Sequence, residues 1–184
     1  MTKKSVNKTM LLIAAWLMWA SISNVQAAQG VNANIANDWP NSRYTVHNNG
    51  TVTDMVTGLM WQQCSVGQTG ADCSGGTASV HNWQAALALA GTDSTADYNN
   101  WRLPNKNELS SLVAYDRYNP STNEVVFPNT AAYYWSSSPY AYGGSGSGAW
   151  DVSFDYGGDY GGHYRNGSGR DYDGFRVRLV RSGQ

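Results

Sequence analysis

The chain has 184 residues, 41% of them hydrophobic, and a formal net charge of −1. That length fits one ordinary domain once a leader is set aside. So small a net charge excludes a general electrostatic attraction to nucleic acid.

The chain starts with a basic stretch, Lys3, Lys4 and Lys8, followed by the apolar run Met10 to Ala20. Val25-Gln26-Ala27 then supplies small or apolar residues before a cleavage point. The pattern predicts a secretory signal peptide over residues 1–27. The run of 11 residues is short of the roughly 20 that a membrane span needs. No transmembrane segment is therefore expected in the mature chain. Export leaves three destinations open: periplasm, cell surface or medium. Removing 27 residues leaves 157, with nine basic residues against 13 acidic ones and a net charge of −4. No nucleic-acid partner is expected.

Residues 28–38 are small and polar and read as a flexible leader, with one domain over 39–184. Tyr44 to His47 and Thr51 to Asp54 read as strands around the turn signal Asn48-Asn49-Gly50. Leu59 to Gln63 reads as a third strand after Thr57-Gly58. Cys64 and Cys73 are the only cysteines of the chain. In an oxidising compartment they are expected to form one structural disulfide closing a short loop. With eight residues between them and without nearby His ligands, they make a poor metal pair.

Two helices are expected next. Ser79 to Ala90 places Val80, Trp83, Leu87 and Ala90 at helical spacing, with Gly91 as the stop. The second helix opens at Asn105, a plausible N-cap, with Glu108 three residues on completing a capping box. Glu108 is therefore read as a cap rather than a catalytic acid. Further on, Ala132 to Ser138 reads as a strand, and Trp150 to Asp155 and Phe175 to Arg181 alternate apolar with polar residues. The alternation assigns Trp150, Val152, Phe154, Phe175, Val177 and Leu179 to buried faces, and Trp135 joins them. It sends Asp151, Ser153, Asp155, Arg176 and Arg178 outward. The result is an α+β domain of short antiparallel strands, two helices and a long, loop-rich C-terminal region.

The tract from Tyr140 to Asp173 stands apart in its alphabet. Its 34 residues include 10 Gly, 6 Tyr, 5 Asp and 4 Ser, and no Lys, Glu, Gln, Met or Thr. Replacing only the two adenines of an AAC or AAT codon reaches Asn, Tyr, Asp, His, Ser, Gly, Arg, Ala, Val and Phe. Every residue of the tract lies in that set except Trp150, which then requires a fixed codon. Tyrosine offers large contact area at low entropy cost, and Gly and Ser let the backbone adapt, as in antibody paratopes. The tract therefore reads as a ligand-binding surface.

Several segments together resemble the Lcl C-terminal domain family. They are Thr57-Gly58-Leu59-Met60-Trp61, Trp101-Arg102-Leu103-Pro104 with Glu108-Leu109, Tyr134-Trp135-Ser136-Ser137-Ser138, Ala149 to Phe154 and Phe175 to Arg181. The resemblance spans roughly Trp39 to Arg181 and implies a C-type-lectin-like fold. The last third is also similar to the variable region of a diversity-generating retroelement target protein, whose ligand-binding face is rewritten by adenine-specific copying errors. That likeness implies a contact set of Tyr140, Tyr142, Asp151, Ser153, Asp155, Tyr156, Asp159, Tyr160, His163, Tyr164, Arg165, Asn166, Arg170, Asp171, Tyr172 and Asp173. It implies a cell-surface protein or glycan as ligand. A fixed-specificity carbohydrate-binding or adhesin domain of the same fold is the alternative.

No cofactor or metal is expected. Neither an EF-hand loop nor a nonapeptide repeat is present, and Trp150-Asp151 is only a fragment of the calcium-dependent sugar motif of C-type lectins. Formylglycine-generating enzymes share the lectin-like fold but use a late cysteine pair, whereas Cys64 and Cys73 lie early. No Ser-His-Asp order, P-loop or HExxH motif appears, and His47, His81 and His163 are isolated. The expectation is a non-enzymatic protein.

Overall fold

The computed structural model describes residues 29–130, 133–140, 148–155, 164–169 and 174–183. Elements are named in chain order. β1 (Gly30–Val31) is followed by the hairpin strands β2 (Tyr44–Val46), β3 (Thr51–Asp54) and β4 (Leu59–Gln62). The small strands β5 (Gln68–Thr69) and β6 (Gly75–Gly76) come next, then helices α1 (Trp83–Leu89) and α2 (Lys106–Ser110). β7 (Arg117–Tyr118), β8 (Tyr133–Tyr140), β9 (Gly148–Ser153), β10 (Tyr164–Gly169) and β11 (Val180–Ser182) complete the order.

Local chemistry explains the first hairpin. His47 N–H donates to Thr51 O at 2.8 Å, enclosing Asn48, Asn49 and Gly50. Gly50 closes the turn at φ +81°, which suits a residue without Cβ. The β3–β4 turn closes in the same way, with Gly58 at φ +69° donating to Asp54 O. Asp54 also accepts both arms of the Arg43 guanidinium, at 2.9 and 2.6 Å, with almost no solvent exposure. The C-terminal strand β11 then pairs with β4, so the sheet runs β11-β4-β3-β2, antiparallel throughout. A second antiparallel sheet runs β10-β9-β8.

Two apolar clusters fill the interior. One gathers Trp39, Tyr44, Val52, Trp61, Leu109, Leu112, Phe127, Tyr134, Val152 and Phe154. The other gathers Met60, Trp83, Trp101, Leu103, Trp135, Ala149, Phe175, Val177 and Leu179. Neighbouring residues divide between them: Met60 and Trp61 on β4, Tyr134 and Trp135 on β8. Since successive side chains of a strand point to opposite faces, both faces of these strands are covered. Indole N–H groups tie the layers together. Trp39 donates to Ser111 O, Trp83 to Ser136 O, Trp101 to Thr95 O and Trp135 to His81 O, all between 2.7 and 3.0 Å.

The strands at 44–46, 51–54 and 59–62, the Cys64–Cys73 disulfide and the Asn105–Glu108 capping box all occur as expected from sequence. So do the buried positions Trp135, Val152, Phe154, Phe175, Val177 and Leu179. Four expectations are corrected. The first helix begins at Trp83 rather than Ser79, because His81 is held in an extended bridge to Phe175 and Asn82 caps Ala85 N–H. Val80 is left exposed. The leader is docked over its described residues: β1 pairs with β7, and Gln29 Nε2 donates to Pro120 O and Thr122 O. Asp151, Ser153 and Arg178 are buried rather than outward, because both faces of their segments are covered: Ala149, on the Asp151 and Ser153 face of β9, packs in the second cluster, and Arg178 lies against Phe127 and Tyr134 of the first. Trp150 is half-buried rather than inside the core.

Candidate functional site

The sheet β10-β9-β8 carries the described part of the Tyr140–Asp173 tract. β9 is its fixed member: Ala149 and Val152 are fully buried and belong one to each cluster. Tyr134 faces Val152 and Trp135 faces Asp151 across the β8–β9 pairing. β10 pairs with β9 and forms the edge of the sheet. Tyr164 lies opposite Val152 and Arg165 opposite Asp151, and the register shifts between Arg165 and Ser168. Asn166 therefore sits at an irregularity of the pairing.

The sequence-derived contact residues divide into three groups. Tyr140 and Asp155 are half-buried at the ends of the sheet. Asp151 and Ser153 are buried within it, so their side chains support the surface instead of forming it. Tyr164, Arg165 and Asn166 lie on β10. Tyr142, Tyr156, Asp159, Tyr160, His163, Arg170, Asp171, Tyr172 and Asp173 lie outside the described residues.

The structure adds two residues beside Tyr140. Its ring meets Trp150 edge-on, with centroids 4.7 Å apart. Lys106 Nζ lies 4.5 Å from the centroid of the Trp150 ring, a cation–π contact. Helix α2 places that lysine. Ser138 Oγ accepts the Lys106 N–H at 3.0 Å, and Pro104 O accepts Ser137 N–H at 2.7 Å, joining the start of α2 to β8. The cap holds the same turn: Asn105 Oδ1 accepts from Glu108 N, and Glu108 accepts from Asn105 N and from both arms of Arg102. Burial pushes the Glu108 carboxyl up, but those Arg102 and Asn105 donors outweigh it and hold the carboxyl below its ordinary range. Lys106 is the one lysine after residue 27, and that rarity was the only hint of it in the sequence.

A second concave feature lies at the other described loops. A half-open cleft of about 640 Å³ is lined by the β2–β3 turn, the end of β4, the disulfide loop, Asp93 and Thr95. Its lining includes the amides Asn48, Asn49, Gln62 and Gln63. Many are already engaged. Gln62 Nε2 donates to Thr95 Oγ1 and its Oε1 accepts from Leu179 N.

Hydroxyl–imidazole contacts can signal a nucleophile, and Ser79 Oγ lies 2.8 Å from His81 Nε2. Ser79 also donates to Val66 O at 3.0 Å. With its proton there, the hydroxyl meets the ring as an acceptor, so the pair braces the 66–81 connection instead of arming an attack. Burial pushes the His81 pKa down. Among the described residues no three His, Cys, Asp or Glu side chains converge as metal ligands would. Among the same residues no helix is long and apolar enough to cross a membrane.

The family model of the Lcl C-terminal domain matches residues 50–181. Among curated proteins and among solved structures, none matches the chain.

Proposed function

The chain belongs to the Lcl C-terminal domain family, and from that footing we propose that it is an exported, non-enzymatic ligand-binding protein. Its contact surface is the tract from Tyr140 to Asp173, displayed on a C-type-lectin-like scaffold, and the ligand is a cell-surface protein or glycan. The observation that carries this reading is the split within the tract. Ala149 and Val152 of β9 are fully buried, while β10 occupies the edge of the same sheet. A recognition surface that tolerates replacement needs such an arrangement, since edge side chains change without opening cavities in the core. The restricted alphabet supports the further reading that the tract is rewritten by adenine-directed errors of a retroelement.

The alternative, fixed-specificity glycan binding, draws on the Tyr140–Trp150–Lys106 cluster, since aromatic rings and a cation suit sugar faces and acidic sugar groups. One experiment separates the readings. The full exported chain is tested against glycan arrays and surface-labelled cells, beside a variant with Tyr156, Tyr160, Tyr164 and Tyr172 all changed to Ser. Binding lost in the variant at unchanged thermal stability is the expected result. Binding that survives overturns the assignment of the tract. Codons in the tract that end in A or G at the Tyr, Asp, Asn, His and Ser positions overturn the retroelement origin alone.

A further inference from the structure

We propose that Asn49 is a site of self-modification, converted to aspartate and isoaspartate through a cyclic imide with help from Thr51. The site lies in the β2–β3 turn, on the rim of the cleft. Three observations place the reacting groups. Asn49 is exposed, so its side-chain amide is open to water. The following residue is Gly50, and a Cβ built there would have nothing within 4 Å. No side chain at residue 50 therefore shields its peptide group from the side chain before it. Third, Asn49 Oδ1 accepts two hydrogen bonds from Thr51, from the hydroxyl at 2.8 Å and from the backbone N–H at 3.3 Å.

The last observation distinguishes this asparagine from an ordinary exposed one. A side-chain carbonyl bonded to the N–H two residues ahead closes a ring that contains the intervening peptide nitrogen. That ring restrains the Asn49 side chain beside the Gly50 peptide. Donors on Oδ1 also draw electron density from Cγ and stabilise the oxyanion that forms when the nitrogen attacks. Thr51 is fully buried and held in β3, so its donors are fixed before reaction. The steps balance within the chain and water. The Gly50 nitrogen, losing its proton to solvent, bonds to Cγ; the Cγ–Nδ2 bond breaks and ammonia leaves. Water then opens the imide at either carbonyl. The α-aspartate product keeps the same two donors, now as charge-assisted bonds. It places a carboxylate on the rim of a cleft whose described lining holds one other acid, Asp93.

Asn48 is the internal control. It is exposed in the same turn but is followed by Asn49, whose side chain hinders attack. The purified full chain is aged in mildly alkaline buffer at body temperature, and peptides are mapped by mass for the gain of one dalton and for isoaspartate. Mapping separates Asn49 from the Asn166-Gly167 pair on β10. Conversion at Asn49 is expected to run at least about tenfold faster than at Asn48, and Thr51→Val to slow it by about tenfold, since the variant loses the hydroxyl donor and keeps the backbone one. Conversion at Asn49 no faster than at Asn48 overturns the proposal without any variant being needed. An unchanged rate in a folded Thr51→Val protein overturns the role of Thr51 and with it the proposal.

Discussion

Two buried arginines illustrate opposite ways of keeping a guanidinium inside. Arg43 binds Asp54 through two bonds, and the side chains are 8% and 0% exposed. Arg178, 2% exposed, has no carboxylate partner among the described residues. It gives Nη2 to Thr130 Oγ1 and lies 4.8 Å from the Phe127 ring and 5.5 Å from the Tyr134 ring. Burial pushes the Arg178 pKa down accordingly. The Arg43–Asp54 pair is the more exposed to acid. Burial raises the Asp54 carboxyl, but the Arg43 bonds and the Val56 N–H outweigh it and hold its pKa below the ordinary value. As pH falls, the unfolded chain therefore takes up this proton first. The contribution of Asp54 is complete above the ordinary carboxylate range near about 4 and is lost as pH falls through the lower folded value. Asp54→Asn leaves a buried guanidinium without its anion and is expected to cost about 3 kcal/mol at neutral pH in urea unfolding. The same variant is expected to flatten the acid limb of the stability profile.

Among the elements, the segment from Cys64 to Gly76 has little regular hydrogen bonding to hold it. Its ladder is the two-residue pair β5 and β6. Gly67 and Gly76 both have positive φ, and a Cβ at Gly76 would sit 2.4 Å from Gly67 O. The disulfide, with a sequence separation of 9, does the work that a longer sheet would do elsewhere. Replacing Cys64 and Cys73 together by Ser is expected to lower stability by about 2–3 kcal/mol, read by urea unfolding of oxidised wild type and variant. The effect should reach the cleft, whose wall this segment forms, while leaving the β10-β9-β8 sheet in place. Helix α2 shows the reverse case, in which five residues hold their position through a complete capping box and the Arg102–Glu108 pair. It was legible from Asn105 and Glu108 alone, because a cap is a local agreement between a side chain and the backbone three residues on.

For the whole molecule, the decisive fact is that the main strands are buried on two sides. Trp135 is fully buried in the second cluster and its ring lies 4.6 Å from that of Phe175, while Tyr134 faces the first cluster. Trp135→Ala is expected to cost about 3–5 kcal/mol and to shift the whole unfolding transition, measured by near-ultraviolet circular dichroism against urea. Alternation alone misplaced Asp151, Ser153 and Arg178, since period two separates two faces but does not say that one of them meets water. The same limit governs the candidate site. The apolar positions of β9 were readable from Val152 and Phe154, but the neighbourhood of Trp150 was not. Lys106 and Tyr140 reach that ring from elements 44 and 10 residues away in the chain, and no local pattern encodes such a meeting.

What the sequence by itself determined is whatever depends on near neighbours. The hairpin turns at Gly50 and Gly58, the pairing of the only two cysteines, the cap of α2 and the restricted alphabet of the tract are of this kind. Each follows from a backbone preference, a count or a composition that needs no distant partner. Tertiary structure alone decided which faces of the strands are wet and that residues 29–32 dock beside and onto β7. Those outcomes rest on contacts between segments far apart in the chain, where the free energy of burial is shared by surfaces that come together only when the fold is complete.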